Sequence, residues 1–248
     1  MRVYLLIQDD PFYLPKEIHH ILDDNNIVGA SVLSQKIPSK SVFQIAKLYL
    51  IIFGFIPLFV LTFKGIYNKF FLGENLKKLI KNSSIPLNGI KDINSIQFKR
   101  YLSEIQPDVL VSIGCPQIIK KEIRSIPKVA TINLHGGYLP DFPGVFTAFW
   151  NLVEQSESAG CTVHYVDKNI DGGQIIKRAK FPISDNDSMM DIYEKITRKG
   201  IKILKESLED IKNGRVKSIE NNIKKNNYHG FPVRADKKKF SSLGNRII

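Results

Sequence analysis

Two cysteines, three methionines and one tryptophan are all that this chain of 248 residues holds of those types. Cys115 and Cys161 leave no second pair for a disulfide framework and no Cys-x-x-Cys metal knuckle, so reduced, cytosolic chemistry is expected. Also missing are a phosphate loop ending in Gly-Lys-Ser or Gly-Lys-Thr, a Gly-x-Gly-x-x-Gly turn after a strand, a His-Glu-x-x-His helix and a Gly-x-Ser-x-Gly elbow. ATP hydrolysis, dinucleotide redox chemistry, zinc proteolysis and elbow-type serine hydrolysis therefore lack support. No cluster has metal-ligand spacing, and no metal is expected. With no Gly or Pro period, and 43% apolar and 10% aromatic residues, fibrous and disordered classes are excluded. The opening run Val3–Ile7 is too short for a signal peptide and meets Asp9 and Asp10 at once, which makes the sequons at Asn82 and Asn186 inconsequential.

Acidic residues are scarce beside basic ones, 24 against 36, for a net charge of +12. The imbalance is concentrated in Lys195–Ile248, with 15 basic and 5 acidic residues. Such a segment favours an anionic partner, whether nucleotide, nucleic acid or lipid headgroup; a solvated helix face with a loose end is the plainer alternative. Charge is absent altogether from the 16 residues Leu48–Phe63, between Lys47 and Lys64. A bilayer span needs ~17–25 apolar residues, and Gly54 and Pro57 interrupt the run. Two short apolar helices broken at Pro57 are expected instead, within an insertion over about 42–72. With Lys47, Lys64 and Lys69 at the rim they can dip into one leaflet; a buried core pair or an oligomer interface are the alternatives.

Elsewhere strands and helices alternate. Val3–Ile7, Ile27–Leu33, Asp108–Ile113 and Val129–Leu134 read as strands, Pro15–Ile18 opens a helix, and Asp92–Ile105 is an amphipathic helix. After Gly144 come a helix to about Gln155, strands Cys161–Val166 and Gln174–Ile183, and a long helix from Ser188 to Ile211 ending at Asn213-Gly214. The pattern predicts an α/β fold with a mostly parallel open sheet and flanking helices. One domain over 1–214 and a short basic extension over 215–248 are expected.

The informative stretch is Thr131–Gly173. In a strand alternate side chains share a face, so Asn133 and His135 can converge on one atom at the carboxyl end of a central strand, where α/β folds place ligands. Asp171, on the loop after the next strand, can hold His135 or a water. An amide donor, a protonatable imidazole and a carboxylate suit acyl transfer to an amine, where no Ser or Cys nucleophile is needed. A lone Asn-x-His at a strand end can equally be a hydrogen-bonded turn pair.

Asn133-Leu134-His135, Leu139-Pro140, Gly144, Gly160-x-Thr162 and Asp171-x-Gly173, in that order, resemble the formyltransferases that use 10-formyltetrahydrofolate. That family includes glycinamide ribonucleotide, methionyl-tRNA and nucleotide-sugar enzymes. The resemblance spans about Val3–Ile183 and implies a Rossmann-like fold with Asn133, His135 and Asp171 as the catalytic set. It further implies a folate held by Ser112, Gly114, Cys115, Pro116 and Ile118, with backbone from Asp167 through Ile170 to Asp171. Candidate acceptor contacts are Asp10, Phe12, Tyr13, Tyr138, Phe142 and Gly144, the aromatics being suited to a sugar or base face. Asp9 and Asp10 can alternatively cap the first helix.

Two departures stand out. Relatives carry Ser-Leu-Leu-Pro and then an Arg-Gly pair, where this chain has Gly137-Tyr138-Leu139-Pro140 and Pro143-Gly144. The glycine-rich phosphate loop of the ribonucleotide enzymes is replaced by Gln8–Pro15, whose helix start can still offer amides to a phosphate. The 34 residues after the long helix are too few for the β-barrel of the tRNA enzymes, which favours an amino sugar on a nucleotide or lipid phosphate, for surface polysaccharide or lipopolysaccharide. A cytoplasmic homodimer is expected, in peripheral contact with an anionic membrane through 48–63 and the basic tail. Rival readings are hydrolysis of the formylfolate, formylation of a ribonucleotide or aminoacyl-tRNA, a membrane-surface adaptor, and a non-catalytic nucleic-acid binder. The last lacks a recognition motif with interleaved aromatics. His164 reads as a core histidine that can line the crevice, and His19, His20 and His229 as surface or turn residues.

Overall fold

The computed structural model describes residues 1–23, 26–34, 41–73, 75–224 and 227–248. Its described strands, β1 (Arg2–Gln8), β2 (Asn26–Leu33), β3 (Leu87–Asn88), β4 (Val109–Ile113), β5 (Ala130–His135), β6 (Ser158–Tyr165) and β7 (Ile175–Pro182), form one sheet in the order β3-β2-β1-β4-β5-β6-β7. The first five are parallel, and β6 and β7 are antiparallel to their neighbours. Short helices α1 (Leu14–Glu17) and α2 (His19–Leu22) follow β1, and α3 (Val42–Phe53), α4 (Phe55–Phe70) and α5 (Leu76–Asn82) lie between β2 and β3. Later come α6 (Ile96–Ile105), α7 (Lys121–Arg124), α8 (Thr147–Val153), α9 (Met189–Lys212) and α10 (Arg234–Ser242).

The unbroken apolar run of β1 is buried on both faces, as a central parallel strand must be. Val3, Leu5 and Ile7 join Val111, Ile132 and the inner side of α9 in the larger core, while Tyr4 and Leu6 pack with Leu110, Phe98 and Leu102 in the smaller one. Helix α9 starts at a reciprocal cap between Ser188 and Asp191, and Gly214 follows it with φ +64°. Helix α6 begins later than its amphipathic pattern predicts: the Ser95 hydroxyl accepts the Phe98 N–H, while Asp92 accepts the Asn94 N–H in the preceding turn.

The basic extension after Gly214 is no loose end. Ile219 pairs with Ile175 beside β7, His229 exchanges backbone hydrogen bonds with Pro143 and Val145, and α10 returns to the larger core. There Phe240 is fully buried and stacked on Phe149 with ring centroids 4.8 Å apart. Arg246 and Ile247 carbonyls accept the first N–H groups of α9, which binds the end of the extension to the start of the long helix.

The apolar insertion forms two helices, but the break falls at Gly54, whose φ of +78° suits glycine, and Pro57 sits in the first turn of α4 where it costs little. Nor is the pair buried in the core: Phe55, Ile56, Phe59, Phe63 and Phe70 are exposed. Among the described residues no single helix is long and apolar enough to cross a membrane; α3 and α4 together are, but they are bent by 113°.

Because Phe240 fills the core from the extension, Phe240→Ala should destabilise the whole fold by about 3–5 kcal/mol. Urea unfolding followed by circular dichroism and by Trp150 fluorescence should show one lowered transition in both signals, since Trp150 lies next to the Phe149–Phe240 stack.

Candidate active site

The sheet register assembles the site. Leu6, Ser112, Asn133 and His164 are successive partners across β1, β4, β5 and β6, and His135 pairs with Thr162 one step further along the same face. His135 is buried, and its Nε2–H donates to the Phe142 carbonyl at 2.7 Å. Its Nδ1 faces Asp171 Oδ1 at 3.7 Å, close enough for charge pairing and longer than a hydrogen bond. The other carboxylate oxygen of Asp171 accepts the Gly144 N–H at 2.8 Å, and the Asn221 side chain donates to the Asp171 carbonyl at 2.7 Å. Asp171 itself stands in the left-handed region, φ +53°, held there by both contacts.

His164 belongs to this cluster. Its Nδ1–H donates to the Tyr165 carbonyl, so Nε2 carries the lone pair and accepts the Asn133 amide at 3.2 Å. The same Nε2 lies 4.0 Å from Asp171 Oδ1. Burial first, then the neighbouring His135, pushes the imidazole down to about 4, so His164 is neutral at neutral pH. Asn133 spends one amide hydrogen on His164 and retains the second. The sequence shows each residue but not the register; the signal for His164 was its position opposite Asn133 once β6 is known to fold back on β5.

The loop after His135 is pinned by Thr162, whose hydroxyl donates to the Gly137 carbonyl and accepts the Leu139 N–H. A side chain at 137 would run into the Phe142 carbonyl that receives His135, which explains glycine there. Gly144, at φ +108°, lies so close to the His229 backbone that no side chain fits. His229, read from sequence as a surface residue, stacks on Phe142 and pairs with Glu154 at 2.6 Å, so the extension backs the loop that faces the site.

The remaining candidates separate into rim and interior. Gly114 has φ +59° at the end of β4 next to Gln8, Cys115 Sγ lies on the Gln117 carbonyl, and burial pushes that thiol up to about 11, away from nucleophilic use. Ile118 and Ile170 are exposed apolar side chains on the two loops beyond β4 and before β7, and Pro116 is half-buried. Asp167 holds its own loop, accepting the Asn169 N–H. Together the β4 edge and the 167–173 loop offer apolar rims and backbone to a flat heterocycle such as a pterin, and the donor set is one it can use.

Two candidate acceptor contacts are interior residues instead. Asp10 is buried, accepts N–H groups of Phe12, Tyr13 and Leu14, and receives the Tyr193 hydroxyl. Those amides are thereby occupied, so the turn has none left for a substrate phosphate; burial nevertheless raises the Asp10 carboxyl above its usual range. Tyr13 is buried against Tyr193, and Phe12 packs beside it and against Gly65 of α4. Tyr138 lies at the surface of β6 and β7 under Arg178 and Lys180, 4.5 and 4.2 Å from its ring. Among the described residues no group of three or more His, Cys, Asp or Glu side chains is arranged to hold a metal.

A proton balance at His164 follows. The unfolded chain takes up a proton near the ordinary 6.5, the folded chain near 4. Between those values the unfolded state binds more protons, so this contribution is whole above the upper value and is lost as pH falls to the lower. His164→Gln should therefore shrink the drop in the urea midpoint between neutral pH and the lower value; an unchanged drop would assign the acid sensitivity to other groups.

Residues 88–208 match the formyl transferase family profile. The bifunctional polymyxin resistance protein ArnA of Wigglesworthia glossinidia brevipalpis is 31% identical over 152 residues, 61% of this chain and 23% of its own length. Methionyl-tRNA formyltransferase of Clostridioides difficile is 30% identical over 139 residues, 56% of this chain and 45% of its own. The chain thus spans less than half the length of either curated relative. In structure, the N-formyltransferase from Helicobacter canadensis in complex with folinic acid and dTDP-3-aminofucose superposes with a TM-score of 0.62 at 20% identity, covering 95% of this chain and 72% of its own. The family profile starts at the short strand β3, while the shared architecture extends to β1, so the expected Rossmann-like fold holds across the sheet. With that fold, and with Asn133, His135 and Asp171 inside the matched stretch, the chain is similar to the formyl transferase family over residues 88–208.

Proposed function

We propose that the chain is an N-formyltransferase that moves the formyl group of 10-formyltetrahydrofolate to the amine of an amino sugar carried on a nucleotide or a lipid phosphate. The observation that carries this reading is the buried His135 between the Phe142 carbonyl and the Asp171 carboxylate, with Asn133 on the same face at the strand ends. The folate supplies the activated formyl group, and Gly114, Pro116, Ile118 and Ile170 with the 167–171 backbone would hold it. Asn133, through its second amide hydrogen, and His135 stabilise negative charge on the formyl oxygen as the acceptor nitrogen bonds to carbon. Asp171 orients His135 and assists transfer of the amine proton toward the departing folate nitrogen. Neutral His164 keeps Asn133 aimed without adding a competing positive charge.

A phosphate-bearing acceptor is supported by the ledge of Tyr138, Arg178 and Lys180 next to the loop that follows His135. The sugar nucleotide named for the Helicobacter canadensis enzyme points the same way, whereas methionyl-tRNA is the substrate named for the clostridial relative. The purified chain should release tetrahydrofolate and add one formyl group, by mass, to a nucleotide-linked or polyprenyl-phosphate-linked amino sugar. His135→Ala and Asp171→Asn should each lower that rate by ~10²–10⁴-fold. Release of tetrahydrofolate with no formylated acceptor would replace transfer by hydrolysis, and formylation of methionyl-tRNA alone would replace the sugar.

A further inference from the structure

We propose that the α3–α4 hairpin is an in-plane anchor that seats this protein on an anionic lipid leaflet. The inference is independent of the chemistry assigned to the site. A surface helix ordinarily turns its apolar stripe inward. Helix α4 does the reverse: Phe55, Ile56, Phe59, Phe63, Ile66 and Phe70 fall within an arc of about 100° at helical spacing. All are exposed, Phe55, Phe59, Phe63 and Phe70 to between 65% and 76%. The opposite side, Leu61, Gly65 and Asn68, is the sheltered one. Gly65 lets α4 lie on Pro11, and the Asn68 amide donates to the Pro11 carbonyl at 3.0 Å. Lys69 pairs with Asp9 at 3.0 Å, so polar contacts fix the helix to the body and leave the aromatic stripe facing out.

The occupant is set by charge and shape. From 41 to 73 the chain carries three lysines and no acidic residue. Where α3 meets α10, Lys47, Leu50, Ile51, Arg234, Lys237 and Lys238 line an open depression, placing four cations beside the apolar hairpin. Apolar aromatic side chains flanked by cations match the acyl boundary and the phosphate layer of a leaflet. The 113° bend at Gly54 is incompatible with a straight span and compatible with a wedge lying in the interface.

The test is flotation of the full chain with vesicles of two parts phosphatidylcholine to one part phosphatidylglycerol, beside pure phosphatidylcholine. The wild type should float with the anionic vesicles. Phe59→Asp combined with Phe63→Asp should reduce the bound fraction at least ~10-fold, and Lys47→Glu with Lys238→Glu roughly five-fold or more. Circular dichroism and the unfolding midpoint should stay unchanged, since these side chains are largely outside the core. In a Phe59→Trp variant, brominated acyl chains should quench the fluorescence of the introduced indole. Failure of the wild type to float, or flotation of the Phe59→Trp variant with that fluorescence unquenched, overturns the proposal. So does a lipid-free dimer by sedimentation that Phe59→Asp dissociates while the wild type ignores vesicles, which would make a second copy the cover. None of these readouts depends on formyl transfer, so a silent activity assay and a failed flotation remain separate results.

Discussion

The antiparallel return of β6 along β5 is the constraint on which the site depends. Strands β1 to β5 run in parallel and bring their carboxyl ends to one edge, but a further parallel strand would bring its own carboxyl end there too. Reversal brings the later part of β6 alongside the β5 exit, so that Asn133 meets His164 and His135 meets Thr162. One pairing thereby aims the amide, and the other pins the turn that carries His135 into reach of Phe142. A slip of one residue in that ladder would turn His164 and Thr162 to the opposite face of the sheet.

Asp171 is the second half of the arrangement, and it is positioned from outside the strands. Its carboxylate takes an N–H from Gly144, its carbonyl takes the Asn221 amide, and Gly144 is pressed against His229. Two of these three supports involve the basic extension. The charge that marks this segment in the sequence comes from its lysines and arginines, while its structural contribution comes from Asn221, His229 and Phe240. A half-buried carboxylate this close to two imidazoles needs such fixed donors, because an unheld one would lose much of its hydration without replacement.

How much was legible follows from what each signal encodes. Strand β1 carries a continuous apolar run, β4 one interrupted only by Ser112, β5 alternates apolar and polar residues, and α9 has a cap, a period and a terminating glycine, all local properties of the chain. The motif residues Asn133, His135 and Asp171 were likewise visible as types at a spacing. Asp10 and Tyr13 were misplaced toward the acceptor because an acidic residue before a helix looks the same whether it meets a ligand or its own amides; only burial separates the two. The partnership of His164 and the support from Asn221 and His229 depend on pairings 31 to 85 residues apart, and no local pattern states those. The extension hid α10 for a related reason: its run Asp236–Lys239 is polar, and the helix is fixed chiefly by the single ring of Phe240 on Phe149.

The hairpin and the site are mechanically adjacent. Phe53, the last residue of α3, lies 6.3 Å from the Phe146 ring, and Phe146 is the left-handed residue that starts α8. Two residues earlier is Gly144, whose N–H holds Asp171. On the other side, α4 rests on Pro11 and Phe12, in the turn that Asp10 ties together and that ends against Tyr193 of α9. Both helices of the apolar pair thus lean on loops at the carboxyl edge of the sheet, the edge where the imidazoles and the carboxylate meet. A load on the hairpin is transmitted through close-packed side chains rather than through a flexible linker. Whatever covers the aromatic stripe of α4 therefore bears on a hairpin that leans on the carboxyl edge of the sheet.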